Sequence, residues 1–178
     1  MLKVIAVIAI GIGAALAALL AYAATRPDTF RVARATTIQA PADKIYPLIE
    51  DFRRFASWSP YETRDPDMKR TFAGAARGQG AVYEWDGDKN VGQGRMVITD
   101  ASAPSRLTMN LEMIRPFPAH NTVQFTLEPT GEATKVTWAM QGGVPFLAKI
   151  LHVFIDMDRM VGGDFEAGLA NLKRVSEH

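Results

Sequence analysis

The chain contains no cysteine, which removes disulfide frameworks, thiolate nucleophiles and zinc–thiolate sites, and leaves redox compartment unreadable. Histidine is scarce as well. His120, His152 and His178 are the only three, no two stand at metal-ligand spacing, and a metal centre is disfavoured. Net charge is also missing: +1 over 178 residues, with both signs interspersed, gives no field to attract nucleic acid, and no nucleic-acid partner is expected. Residues 74–80 and Gly92-Gln93-Gly94 lack the lysine and the strand-to-helix setting of a phosphate loop, so they read as strand-end or bulge glycines. No serine has a histidine neighbour or a nucleophile-elbow pattern. There is no internal repeat and no low-complexity tract. Nothing in the sequence calls for a cofactor.

What is present begins at the amino terminus. Residues 4–24 form an uncharged apolar run of 21 residues. A helix of that length reaches roughly 30 Å, about the hydrocarbon thickness of a bilayer, with every backbone polar group bonded internally. Gly11 and Gly13 are compatible with a membrane helix. Ala21-Tyr22-Ala23 has the small-x-small form of a cleavage site. The run is nevertheless longer than a signal peptide's apolar region, and Lys3 is its only leading basic residue, so an uncleaved anchor is the favoured expectation. The location expected is the cell membrane, with a single amino-terminal pass. Orientation stays open, because Arg26, Arg31 and Arg34 follow the run and yet can belong to the first strand. The domain division is then 1–27 for anchor and short linker and 28–178 for one globular domain of ordinary size.

The domain reads as a strand at residues 30–39, a helix opened by Pro41 with the apolar stripe Ile45, Leu48, Ile49 and Phe52, and a second short helix at 53–57. Pro47 lies inside the first helix and predicts a kink or an early stop. From Met68 to Met140 apolar and polar residues alternate: Tyr83 and Trp85; Met96 and Ile98; Met109, Leu111 and Met113; Val123, Phe125 and Leu127; Val136, Trp138 and Met140. That pattern predicts one antiparallel sheet, apolar on one face, whose sequential strands are joined by hairpins at turn-rich segments. Its cover is a long helix over about residues 145–175, with Leu147, Ile150, Leu151, Phe154, Met157, Val161, Phe165, Leu169 and Leu172 as the inward stripe. Gly162-Gly163 predicts a bend or a close backbone contact within it. A curved sheet around one helix closes incompletely at one end, and the space left over is a pocket.

With this order of elements go the strings Phe55-Ala56-Ser57-Trp58-Ser59-Pro60, Met68-Lys69-Arg70-Thr71-Phe72, Gly80-Ala81-Val82-Tyr83-Glu84-Trp85, Val136-Thr137-Trp138 and Met157-Asp158-Arg159-Met160. In them the chain resembles the START-like superfamily, the polyketide cyclase/dehydrase and lipid-transport group that also holds the Bet v 1 allergens, and in particular a membrane-anchored bacterial branch. The resemblance covers about residues 30–176. It implies an α+β helix-grip fold, a curved seven-stranded antiparallel sheet around a long carboxy-terminal helix, and apolar ligands held in a cavity. It carries over no catalytic residue.

The candidate cavity wall is Trp58, Tyr83, Trp85, Met96, Met109, Met113, Phe125, Trp138, Met140, Phe154 and Val161, with Arg70 and Asp158 as polar members. In this fold core and cavity wall are the same residues, and methionine suits a surface that accepts varied apolar ligands. Asp158 falls by helical phase inside the apolar stripe, where a carboxylate is costly unless paired or wet. Arg70 is its candidate partner. The pair is either a structural ion pair or, with Tyr83, the polar element of an apolar pocket. Three functions follow. The leading one is a membrane-anchored binding or carrier domain, expected to be monomeric, for a lipid or other hydrophobic small molecule. The others are a cyclase- or dehydratase-type enzyme using Asp158, Arg70 and Tyr83, and a protein-interaction domain using a sheet edge or loops.

Overall fold

The computed structural model describes residues 1–153 and 156–178, and the side chains of all of these except Leu2 and His152. In chain order the elements are α1 (Leu2–Ala24), β1 (Thr29–Ile38), α2 (Ala42–Glu50), a 3-10 helix (Phe52–Ser57), β2 (Lys69–Gly74), β3 (Ala81–Asp86), β4 (Gln93–Ser102), β5 (Arg106–Arg115), β6 (Ala119–Thr130), β7 (Ala133–Gly143), α3 (Phe146–His152) and α4 (Met157–Glu177). Among the described residues, α1 is the one helix long and apolar enough to cross a membrane. Its apolar side chains point outward, and only its last turn is packed, where Ala23 is buried and the helix meets α3.

The alternating segments form a single seven-stranded sheet in the order β1-β7-β6-β5-β4-β3-β2, every pair antiparallel. Hairpins link β2 through β7, and β1 closes against β7 from Thr29↔Gly143 to Ile38↔Thr134. Register sets apolar side chains opposite one another on the concave face, Met96 against Leu111, Ile98 against Met109, Phe125 against Trp138 and Val123 against Met140. Each large apolar side chain fully buried there contributes on the order of 1.5–3 kcal/mol.

α4 lies along β1 and β7 with Val161, Phe165, Leu169 and Leu172 buried beneath it, and the Phe165 ring stacks on Trp138 at 4.1 Å. Its last turn is fixed to β1 by the Gln39 N–H donating to Glu177 at 2.7 Å and by Lys173 Nζ donating to the Thr37 carbonyl at 2.7 Å.

The local structure refines three expectations. The helix read over residues 145–175 is two helices. α4 has its own start, with the Asp156 carboxylate accepting the Arg159 N–H at 3.0 Å, and α3 turns a different face, leaving Leu147 and Leu151 exposed rather than on α4's inward stripe. Of the bend or close contact expected at Gly162-Gly163, the close contact is present, and α4 continues through both residues. Gly162 sits where the helix crosses the Arg34 guanidinium, which occupies the place of a Cβ, whereas Gly163 faces open space. Pro47 neither stops nor shortens α2, which continues to Glu50, one hydrogen bond poorer, until Asp51 turns extended and caps the 3-10 helix through the Arg53 N–H at 2.9 Å.

Candidate functional site

Along the concave face, burial changes in one direction. On β5 Leu107 and Met109 are buried while Leu111 and Met113 are half-buried; on β4 Ile98 is buried and Met96 half-buried; on β3 Tyr83 is buried and Trp85 half-buried. β6 follows suit, from buried Leu127, Phe125 and Val123 to half-buried Asn121. The closed end is covered by α2 and the 3-10 helix, whose Ile45, Ile49, Phe52 and Phe55 join the same core. α4 lies chiefly over β1 and β7. The inner faces of β3–β5 therefore form an apolar strip, the trough, whose cover thins toward one end. Register fixes which end: Met113 is opposite Ala119, Asn121 opposite Gly142, and Gly142 opposite Phe30, so the opening lies where β1 begins and α1 joins the domain. Gly94 lets the Trp85 indole lie flat across β4, where any side chain at 94 would collide with the ring, and the Trp85 N–H is held by the Val91 carbonyl at 3.1 Å.

Beside the trough a polar clasp is assembled from β2, β3 and the segment before β2. The Glu62 carboxylate, only 7% exposed, accepts Arg70 Nε at 2.7 Å and the Tyr83 hydroxyl at 2.5 Å. Arg70 also donates to the carbonyls of Met68 at 2.5 Å and Pro66 at 3.3 Å, gathering the chain between Glu62 and Met68 against the sheet. Burial, and then the bond to Glu62, push the Tyr83 phenol well above its ordinary range, so it stays protonated and donates. The same carboxylate raises Arg70 by accepting its hydrogen bond. Tyr83 is one of a row of rings, stacked on Phe72 at 5.3 Å, Phe52 at 5.7 Å and Trp85 at 5.8 Å.

Asp158 is elsewhere. Its side chain is 63% exposed in the first turn of α4, and its partner is Arg34 on β1, at 2.8 Å, rather than Arg70. Arg34 also donates to Glu166 at 2.6 Å, and the hydrogen bond from Arg34 is the main cause holding the Asp158 carboxyl below its usual range. This clamp fastens α4 to the edge strand from outside the apolar interior.

The other candidate residues fall into two groups. Trp58, Met109, Phe125, Trp138, Met140 and Val161 are buried in the core, where Trp138 lies 5.0 Å from Phe125 and 5.5 Å from Trp58. Trp85, Met96 and Met113 form the half-buried trough wall with Leu111. Arg70 and Tyr83 do come together, on Glu62. Phe154 lies outside the described residues. The Trp138 indole N–H is buried with no acceptor among the described residues, an unused donor facing the interior. Glu62 was not anticipated; its segment has no periodicity, and the one signal was an acid eight residues before Arg70. A depression of about 360 Å³ lies across β4, β5 and β6 among Arg95, Val97, Asn110, Glu112 and His120, and Leu111 and Asn121 border it too. Its lining mixes charged, polar and apolar side chains, and among the described residues no acidic or histidine cluster could hold a metal.

A family model described as polyketide cyclase / dehydrase and lipid transport matches residues 29–177. Solved structures share the fold. A Chromobacterium violaceum protein is 17% identical, with a TM-score of 0.59 over 86% of this chain and 99% of that one. The Aha1 dimer from Colwellia psychrerythraea is 15% identical, with a TM-score of 0.59 over 83% of this chain and 96% of that one. DynU16, from the dynemicin biosynthetic locus, is 19% identical, with a TM-score of 0.58 over 85% of this chain and 48% of that one. At these identities the likeness shows the fold alone. No curated protein matches the chain.

Proposed function

The chain belongs to the polyketide cyclase/dehydrase and lipid-transport family, and from that premise we propose that it is a membrane-anchored domain binding a lipid or other hydrophobic small molecule. Residues 1–27 serve as anchor and linker, and residues 28–178 as the binding domain. The observation that carries this reading is the trough, whose Trp85, Met96, Leu111 and Met113 walls grow more exposed toward the end at which α1 enters. A mostly apolar concavity with few convergent polar groups is what binding an apolar molecule requires, and methionine walls adapt to more than one tail. The Trp138 N–H, unpartnered among the described residues, lies in the packed core rather than in the trough wall. Tyr83, Glu62 and Arg70 are committed to each other and to the loop they clasp, which supports a structural role for them over acid–base chemistry.

Native mass spectrometry of the full chain, released from its membrane into amphipol, tests the reading. The expected result is an apolar adduct, or uptake of added parinaric acid where the site is vacant, lost in Leu111→Arg while the melting transition is kept. A folded wild-type chain that carries no adduct and takes up no parinaric acid refutes it.

A further inference from the structure

α3 is built inside out. Lys149 is 6% exposed, although Leu147 beside it is 74% exposed and Phe146 and Leu151 are exposed as well. A seven-residue helix facing water should show the reverse, since a lysine is almost never buried while leucines on the same helix are left bare. The Lys149 ammonium is covered and reaches the carboxylate of Asp28, the residue that follows the linker and is itself 91% exposed, at 2.5 Å. The Asp28 carbonyl meanwhile accepts the Val144 N–H at 2.7 Å. Linker and α3 are thus tied to each other, and the last turn of α1 packs on α3. The end of β5 and the turn to β6 reach the same end of the sheet, and they too carry bare apolar residues, Ile114 in β5 and Phe117 in the turn, the latter 71% exposed between two prolines.

We propose that this rim, Phe146, Leu147 and Leu151 of α3 with Ile114 at the end of β5 and Phe117 of the β5–β6 turn, docks on the lipid surface of the bilayer that holds α1, so that the trough opens directly onto the acyl region. The inference rests on the anchor reading of α1. The occupant follows from continuity. α3 lies alongside the final turn of a helix whose apolar length matches a bilayer, at the level where Tyr22, with the Arg26 guanidinium 5.8 Å from its ring, has the character of an interfacial aromatic. Side chains held at that level meet headgroups and upper acyl chains rather than water, and an outward apolar face whose lysine is covered and paired matches that medium. Interfacial helices set their apolar face about 5–10 Å into the headgroup–acyl boundary.

Because the chain has no cysteine, single reporters can be placed without background. Full-length Phe117→Cys, Leu147→Cys, Leu16→Cys and Glu132→Cys, each carrying an environment-sensitive dye, are reconstituted in nanodiscs with nitroxide lipids labelled shallow or deep in the acyl chain. Leu16 reports the anchor, and Glu132, in the β6–β7 turn at the opposite end, is the control. The expected outcome is loss of most emission at 117 and 147 to shallow nitroxide, at 16 to deep nitroxide, and no loss at 132. If 16 is quenched while 117 and 147 stay open to aqueous iodide, docking is refuted and the anchor stands. A blue shift at 117 and 147 without lipid quenching assigns the rim to a protein partner and also refutes docking. If 16 is not quenched, the anchor fails and docking with it. Ligand content of the same samples, read by native mass spectrometry, reports on the trough independently.

Discussion

Replacing Glu62 removes the centre of the clasp, and the structure sets the size of the effect. The carboxylate is nearly inaccessible and satisfies a buried phenol and a guanidinium whose side chain is 26% exposed. Removing one partner of a buried ion pair costs about 3–5 kcal/mol, because the other is left uncompensated. Arg70 keeps some water and its carbonyl contacts at Met68 and Pro66, so Glu62→Ala should cost about 2–3 kcal/mol. Glu62→Gln retains an acceptor for Tyr83 but loses the charge, and about 1–2 kcal/mol is expected. For a chain of this size each kcal/mol moves the melting temperature by about 2–4 °C, so Glu62→Ala should melt about 5–10 °C lower. Thermal unfolding of the full chain in detergent, followed by near-ultraviolet circular dichroism, reads the shift. A double-mutant cycle with Arg70→Met should give a coupling of at least about 1 kcal/mol. Stability of Glu62→Ala within about 0.5 kcal/mol of the parent, or a cycle that closes without coupling, refutes a structural clasp. If stability survives and ligand content changes, the three groups serve the ligand instead.

Two of the three glycines of α4 predict substitutions of opposite sign: Gly163→Ala, in open space, should stabilise by about 0.5–1 kcal/mol through helix propensity, whereas Gly168→Ala should destabilise, because its methyl would press into the Trp138 ring and stand 3.0 Å from Pro60. Chemical denaturation of both variants checks this, and stabilisation by Gly168→Ala would contradict the packing. Tyr46 is pushed up to about 12, by burial and then by Glu50 and Asp100, and Tyr61 and Tyr83 are shifted upward too, chiefly by burial. A raised tyrosine favours the folded state through its neutral form, so its contribution is complete below about pH 10, the unfolded value, and lost as pH rises through the folded one. Tyrosinate absorbance should therefore rise mostly beyond pH 10 and together with unfolding; most of the phenolate appearing near pH 10 in a folded chain would refute these environments.

Most of the fold was legible because it rests on period. Two-residue alternation gives one answer for Tyr83 and Trp85 or for Val136, Trp138 and Met140, and the sheet places them accordingly. The carboxy-terminal region misled because Leu147 and Leu151 continue α4's spacing while serving a different surface, and periodicity records apolarity without naming the medium that meets it. Asp158 misled for a related reason. A wheel drawn through the whole region puts it in the stripe, but α4 starts at Met157, and a first-turn carboxylate at a helix end is free to swing out to Arg34. Glu62 was illegible because the contact joining it to Tyr83 depends on how an irregular segment folds back over β2 and β3, which no local pattern encodes.

The linker bears on what kind of binding domain this is. Residues 25–28 span at most about 14 Å even when fully extended, and the two bonds at Asp28 shorten that tether further by fixing it to Val144 and Lys149. On the proposed topology the trough's mouth cannot leave the bilayer that holds α1, so carriage of a lipid between separate membranes is out of reach. What remains is exchange with the adjoining leaflet, taking a molecule out of it or presenting one to a partner. A mouth held there meets its ligand at a concentration set by the tether rather than by the aqueous phase. Weak intrinsic affinity then suffices for occupancy, and detaching the domain from its anchor should reduce ligand loading far more than it reduces stability.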